Sequence, residues 1–488
     1  MKTQMKELTR VLTLLLASCL ILASCSDDKD DTSRLKFEVP AVYFSKTVTH
    51  ADVKFESQDI TKYYISDKPV GWDKYIFLHE DTKILSVSLP DELQKINTLD
   101  EAAQTSVATS GEITLAGVGA SGIVKSAKLF VGLLPTKDLS DKPANSYIVN
   151  KQDTHYLIRC AKPDGTPVAA DHVDVVWQDR TAVINHLGLM DDCISFFMKP
   201  GDTEKDHIQE GNAIIGAYDA KGNILWSWHI WATRFDPEKS TLNYANGYEM
   251  MDRNLGALAN GNETANERFY SYGLYYQWGR HTPFVGPLDY KFGNGVYNYI
   301  YNVLGHRVYL KTTKTSAENG TTAFAATHPL DFLVADNESG YDWQWTENST
   351  AWNAEKNNND PCPYGWKVAP AAAFEGLQPA GVPDAKTHDL YSLELTDGTT
   401  TSLWMGGGRM LYNSGRFQNI YNPLPEVRNV AEEAQPWEGL YWTAEAGSDR
   451  RSKTFHFWYK KMDSTFGVSM TDEYQRANAM SVRCVREK

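Results

Sequence analysis

The chain has 488 residues, 48 Lys and Arg against 62 Asp and Glu, and a formal net charge of −14. That length points to about three domains, and 42% apolar with 12% aromatic residues supplies enough core-forming material to exclude global disorder. The acidic balance argues against nucleic acid, whose phosphates need clustered Lys and Arg, and no apolar run reaches the ~20 residues of a membrane helix.

Lys2, Lys6 and Arg10 make a cationic start, followed by an uncharged, Leu-rich run over 11–23. That is the length of a secretory leader and too short to span a bilayer. The run ends Leu22-Ala23-Ser24-Cys25, which resembles a bacterial lipobox. The resemblance implies a leader over 1–24 and a lipid on the Cys25 sulfur. A second match, Leu16-Ala17-Ser18-Cys19, would leave the apolar stub Leu20-Ile21-Leu22 after cleavage, so Cys25 is the expected site. Residues 25–35 then form an acidic tether. Its Ser26-Asp27-Asp28-Lys29-Asp30-Asp31 run reads as a solvated charge block and is also similar to the surface-export signal of Bacteroidetes lipoproteins. That likeness implies an outer-membrane lipoprotein facing the cell exterior. Without the leader, 45 cationic face 61 anionic side chains, a net −16, which suits an exported, solvent-facing body.

Residues 36–138 read as an antiparallel β-sandwich. Short β-rich runs lie at 39–44, 76–78 and 84–89, the last alternating, and 111–117 and 127–134 continue them. Pro69-Val70-Gly71-Trp72 followed by Ile76-Phe77-Leu78 faintly resembles the immunoglobulin-like modules of Bacteroidetes surface proteins. A linker at 137–143 opens a second expected β-sandwich, 139–240, with runs at 145–149, 173–177, 194–197 and 211–218. A turn at 219–223 leads into 224–231. Period-2 alternation there puts Trp226, Trp228 and Ile230 on one face and Ser227, His229 and Trp231 on the other. Large rings on both faces predict a strand covered on both sides, with core packing ahead of sugar stacking.

From residue 241 the chain becomes loop-rich, with Gly, Asn and Trp scattered through it. One short helix is expected at 371–377, behind Pro370. No internal repeat marks a solenoid or propeller.

Four cysteines remain when Cys19 and Cys25 are set aside: Cys160, Cys193, Cys362 and Cys484. An even number in an exported chain permits disulfides in three connectivities. Keeping partners within one expected domain gives 160–193 and 362–484. The second would close a loop of about 120 residues, a stabilisation of up to ~5 kcal/mol. No CxxC pair occurs, so no zinc ribbon is expected.

Five spaced motifs carry a family resemblance: MDRNLGA (251–257), GLYYQWGR (273–280), PCPYGWKVAP (361–370), GLYWTA (439–444) and SVRCVR (481–486). Together they resemble the Fibrobacter succinogenes major paralogous domain over roughly 241–488. The stretch 145–231 is similar to a β domain that precedes such modules in Bacteroidetes fimbrillin-like and fimbrial-tip lipoproteins, and 36–134 is only loosely covered. The resemblance implies a C-type-lectin-like fold, an irregular α+β domain behind two immunoglobulin-like sandwiches. It also implies that Cys362 and Cys484 are partners. Arg253 and Arg280 read as loop anchors through bidentate bonds.

Catalytic motifs are missing. There is no HExxH, P-loop or GxSxG, and Gly406-Gly407-Gly408 lacks the Lys that a phosphate loop needs. His229 and His456 lie on expected strands and read as structural. The calcium-lectin strings are not met: Gln378-Pro379-Ala380 and Trp352-Asn353 lack the carboxylates. The formylglycine-generating enzymes share the implied superfold, but their reactive cysteine pair would here be the expected bridge. No cofactor, metal or enzymatic activity is expected.

The expected function is a non-catalytic cell-surface lipoprotein, an adhesin or fimbria-associated, tip-like subunit. Its partners would be the outer membrane through the lipid, and a glycan, a protein or fimbrial subunits through the last domain. Trp343, Trp345 and Trp352, and the 402–418 loop with Trp404, Arg409, Tyr412 and Arg416, are the candidate contacts, because exposed rings stack on sugar faces and Arg bonds hydroxyls and carboxylates. The alternative is a carbohydrate-binding lipoprotein of a polysaccharide-utilisation system.

Overall fold

In residues 84–88 aliphatic side chains alternate with serines, and Leu85 and Val87 are fully buried. The same two-residue period organises most of the chain. The computed structural model describes residues 32–488 except 46–47, 96–104, 120, 200, 202–206, 262–267, 288, 292–294, 298, 382–391, 421–436 and 461–464. The expected leader, Cys25 and the acidic run at 26–31 lie outside the described residues. The chain divides into two compact units, residues 1–133 and 134–488.

The first unit is a two-sheet sandwich. Its strands are β1 (Arg34–Phe37), β2 (Ala41–Phe44), β3 (His50–Gln58), β4 (Ile60–Asp67), β5 (Ile76–His79), β6 (Ile84–Ser88), β7 (Ser110–Gly119) and β8 (Val124–Leu133). One sheet has the order β1-β3-β6-β5 and the other β2-β8-β7-β4. β3 and β4 belong to different sheets, and the single residue between them, Asp59, makes the crossing with φ 54°, a conformation Asp tolerates better than most residues. Val53, Phe55, Leu85, Val87, Ile113, Leu115, Leu129 and Val131 form the core between the sheets. Trp72 is buried with them, its indole N–H donating to the Ala108 carbonyl at 2.8 Å. The sandwich departs from the antiparallel expectation in one pair: β2 runs parallel to β8, Ala41 opposite Phe130.

The second unit begins with another pair of sheets. Its strands are β9 (Thr136–Asp138), β10 (Ser146–Val149), β11 (Thr154–Arg159), β12 (His172–Gln178), β13 (Asn185–Met190), β14 (Cys193–Met198), β15 (Gly211–Tyr218) and β16 (Ile224–Ala232). One sheet has the order β13-β14-β11-β9. The other is β10-β16-β15-β12, lengthened by a hairpin of Ile300–Tyr301 and Arg307–Val308. β9 lies parallel to β11 and β10 parallel to β16.

β16 is covered on both faces, as its rings predict. Trp226, Trp228 and Ile230 pack with Tyr156, Ile158, Ile194 and Phe196. Trp231 packs with Trp177, Met251, Trp278, Trp366 and Trp442. One core therefore spans residue 240. The sheet crosses that position too, since Gln178 pairs with Tyr301.

Five further sheets follow among the described residues, two of them larger than the rest. Thr241–Asn243, Glu249–Met251, Cys484–Arg486 and Trp366–Val368 form one, in that order. The larger one runs Phe417–Gln418, Arg409–Met410, Ala479–Ser481, Trp437–Ala446, Arg451–Lys460, Thr465–Gln475. The helix expected at 371–377 is a single 3₁₀ turn, Ala371–Phe374, which stops because Glu375 takes an extended conformation.

Cys362 and Cys484 are disulfide-bonded and fully buried. The expected 160–193 bridge is not formed; both are free thiols. The register explains why. Cys193 sits opposite Arg159, so it shares the face of Arg159. Cys160, one residue on, points to the other side, where it joins the core. Arg280 is the loop anchor its sequence implied: it is buried and donates to the carbonyls of Asp331 and His328, both at 2.8 Å. Arg253 makes the expected bidentate bond, to the Asp252 carboxylate at 2.7 and 3.2 Å, and also donates to the Leu258 carbonyl at 3.4 Å.

Candidate functional site

Strands 437–446, 451–460 and 465–475 present two chemically different faces. Phe455, Phe457 and Tyr459 turn to one side, where they join Trp437, Tyr441 and Trp404 in a buried aromatic cluster. The alternate residues, His456 and Trp458, turn to the other side. Register places Leu440 and Ser469 beside His456, and Glu438 and Gly467 beside Trp458. Gly467 is required there by space: a Cβ would meet the Trp458 ring at 2.2 Å. The indole thus lies flat across the strand, an aromatic covering a cross-strand glycine. Trp458 remains partly exposed.

A network of charged groups holds the surroundings of that ring. The His456 Nδ1–H donates to Asp472 at 2.6 Å, and Nε2 faces Glu438 at 3.6 Å. Ser469 donates to the other Asp472 oxygen at 2.6 Å. Glu438 also accepts from the Asn419 amide at 2.6 Å and faces the Arg409 guanidinium at 3.5 Å. Arg409 donates to Gln418 at 2.8 Å and lies 5.1 Å above the Tyr474 ring.

Burial pushes the Glu438 carboxyl up, but the donors His456 and Asn419 and the Arg409 charge outweigh it and hold it below the usual glutamate range. Asp472 follows the same pattern: burial raises it, and Ser469 and His456 lower it further. Burial and the Glu438 charge push the Tyr474 hydroxyl up to about 12. At neutral pH the face therefore offers ionised carboxylates, a fixed guanidinium, a neutral phenol and an indole ring. Hydroxyl donors would meet acceptors here, and the apolar face of a small ring would meet Trp458. The Ser469 hydroxyl donates to Asp472 and not to a histidine, so Ser469 is not paired with a base on this face.

Of the candidate contacts expected from sequence, this face includes only Arg409. Trp343, Trp352 and Trp404 are buried and cannot present a ring to solvent. Each instead spends its indole N–H on framework: Trp343 on the Trp278 carbonyl, Trp352 on the Asn359 carbonyl and Trp404 on the Ser402 hydroxyl. The Arg483 guanidinium also covers Trp404 at 3.9 Å. Trp345 is half-buried, with its carbonyl held by Arg450 at 2.9 Å. Tyr412 is half-buried against Tyr341, and Arg416 is exposed. Glu438, Trp458, Asp472 and Tyr474 are not among the sequence candidates, and His456 is there only as a structural residue. The available signal was the run RSKTFHFWYK, whose rings fall on both faces of a strand.

Clefts lie elsewhere in the 134–488 unit, and two of them are wide enough to hold a ligand. One, of about 340 Å³, is lined by Asp252, Asn260, Glu394, Thr401 and Ser402, and its Asp252 is already held by Arg253. The other, of about 200 Å³, lies beside Tyr364. Among the described residues no group of three His, Cys, Asp or Glu is placed to hold a metal ion. No helix among them is long and apolar enough to cross a membrane.

No family model matches the chain, and no curated protein matches it either. Among solved structures it is similar to a tri-modular GH5 (subfamily 4) endo-β-1,4-glucanase from Bacillus licheniformis complexed with cellotetraose: 7% identity, TM-score 0.14, 41% of this chain and 38% of that one. It is similar to SGBP-B of the Bacteroides ovatus mixed-linkage glucan utilization locus, in complex with a mixed-linkage heptasaccharide: 11% identity, TM-score 0.11, 38% of this chain and 40% of that one. A three-repeat fragment of human CDH23 gives 15% identity and a TM-score of 0.15 over 41% of this chain and 69% of that one. The chain thus spans about two fifths of the length of the first two. At these TM-scores the likenesses carry no assignment of fold or function.

Proposed function

We propose that the protein is a non-catalytic lipoprotein of the outer cell surface, an adhesin or fimbria-associated subunit that binds glycan through the 134–488 unit. The observation that carries the glycan reading is Trp458, partly exposed and laid flat beside ionised carboxylates and a fixed Arg. An indole face and rigid hydrogen-bonding groups are what a sugar ring needs: C–H bonds to stack and hydroxyls to satisfy. The polar groups are held by one another, so little order is lost when ligand arrives.

The lectin-like reading of 241–488 is part of the proposal. Its support is the Cys362–Cys484 bridge, which ties the PCPYGW segment to the terminal strand as the family resemblance implies. The surface address rests on the leader, Cys25 and the acidic tether.

Trp458→Ala is expected to weaken glycan binding at least about tenfold, the loss of a central aromatic contact, with little change in thermal stability because the ring is already partly exposed. The measurement is a glycan array followed by calorimetry on the best ligand. Unchanged affinity in the variant, or no glycan bound at all, would reject the reading. Separately, Cys25→Ala should move the protein from the membrane to the soluble fraction of cells. Retention in the membrane fraction would reject the lipid anchor.

A further inference from the structure

We propose that the groove beside Tyr364 is a second binding site, and that it takes a carboxylated sugar such as a uronic acid. The ligand class rests on the glycan reading above, whereas the site is separate from the Trp458 face.

The groove opens where the first strands of the 134–488 unit meet the PCPYGW segment. β9 contributes Lys137 and β10 contributes Tyr147; Lys142, Glu238, Tyr364 and Trp366 complete the main lining. Tyr364 is 54% exposed, while Trp366 is buried. The backbone under them is fixed, because Pro363 bridges to Ser146. The volume of about 200 Å³ is below the ~300–1,000 Å³ of pockets for drug-sized ligands. It suits one sugar ring with its chain running out to solvent.

Charge selects the acid. Glu238 accepts a bidentate bond from Arg486, 3.1 and 3.0 Å, a guanidinium it shares with Glu249. Asp236 pairs with Lys239 at 3.3 Å. Among the described residues neither Lys137 nor Lys142 has a carboxylate within ion-pair distance. Burial holds the Lys137 ammonium below the usual lysine range; the charge of Asp236 opposes this, and those of Lys151 and Lys142 add to it. A half-buried ammonium without an ion-pair partner, a second ammonium on the rim and an exposed ring are complementary to a carboxylate set on a C–H face.

The test titrates the full chain with trigalacturonic acid, its methyl ester and a hyaluronan tetrasaccharide, at low salt so that the charge contribution is not screened. At least one of the two acids should bind, and the galacturonate at least about tenfold more tightly than its ester if it is the ligand. Lys137→Met should bring acid binding down to the level of the ester, and Tyr364→Ala should weaken both. Lys142→Met, on the exposed rim, carries the same test should Lys137→Met not fold. Trp458→Ala should leave acid binding unchanged, so the fate of this groove is read independently of the other face. No binding of either acid at millimolar concentration would overturn the proposal. So would equal affinity for trigalacturonate and its ester, no effect of the Lys variants, or tighter binding of poly-glutamate than of either sugar.

Discussion

Replacing Cys362 and Cys484 together by Ala is expected to destabilise the 134–488 unit by about 5 kcal/mol while leaving the 1–133 sandwich unchanged. The bridge spans 122 positions, and closing a loop that long removes much of the freedom of the unfolded chain. The site is also prepared to receive it. Asp360 accepts the Cys362 N–H at 2.8 Å and the Val368 N–H at 2.9 Å. Lys356 donates to the Cys362 carbonyl at 2.7 Å. These bonds fix the turn without help from the sulfurs, so the variant should still reach the same fold. Calorimetry with and without reductant checks this. One transition should fall by about 7 °C in both the reduced protein and the variant, and the other should stay. A variant transition that does not move would show that the bridge adds nothing.

Acid is expected to act at least as strongly, through three histidines that the fold buries in their neutral form. Burial lowers His229 and His281 to about 3 and His155 to about 4. For His281 the charges of Arg280 and Lys162 add to burial, and for His155 the Asp138 charge partly opposes it. His229 is pinned between the Ser146 hydroxyl and the Asn212 amide oxygen, both at 2.9 Å. His281 stacks on Trp226 with ring centres 4.1 Å apart. Each folded-state value lies below the unfolded value of about 6.5. The stabilisation is therefore complete above pH 6.5 and is lost as pH falls toward 3 to 4. At pH 5 each histidine should remove about 2 kcal/mol. Urea unfolding of the 134–488 unit at pH 8, 6.5 and 5 measures it. His281→Phe keeps the stacked ring and cannot titrate, so its curve should fall less steeply below pH 6.5. Equal stability at pH 8 and pH 5 would exclude the mechanism.

Strand-level features were legible where a two-residue period was strong. The buried serine-flanked Leu85 and Val87 and the two-faced β16 follow from it directly. The partnership of Cys362 with Cys484 was legible from spacing by domain and from the family motifs. Cys160 and Cys193 were misjudged because nearness in the chain says nothing of which face a side chain takes. That is decided by register, and register is a property of two strands. At residue 240, the expected boundary, Trp231 and Trp177 bury themselves against residues beyond 250, so the core ignores the change in sequence texture. In the loop-rich part, exposed and buried tryptophans look alike in one dimension. Trp343, Trp352 and Trp404 each find a backbone or hydroxyl acceptor and turn inward, whereas Trp458 lies outward over Gly467. The charged groups around it come from four separate strands, and no local pattern joins them.

The parallel pairing of β9 with β11 and of β10 with β16 has a mechanical meaning. Tension applied along the strands from the N-terminal side of this unit would draw β9, then β10, past partners that run the same way. Such pairs are sheared, and their hydrogen bonds must yield together, whereas an antiparallel hairpin pulled from its ends opens one bond at a time. The first strands of the unit are thus arranged to resist a steady pull from that side.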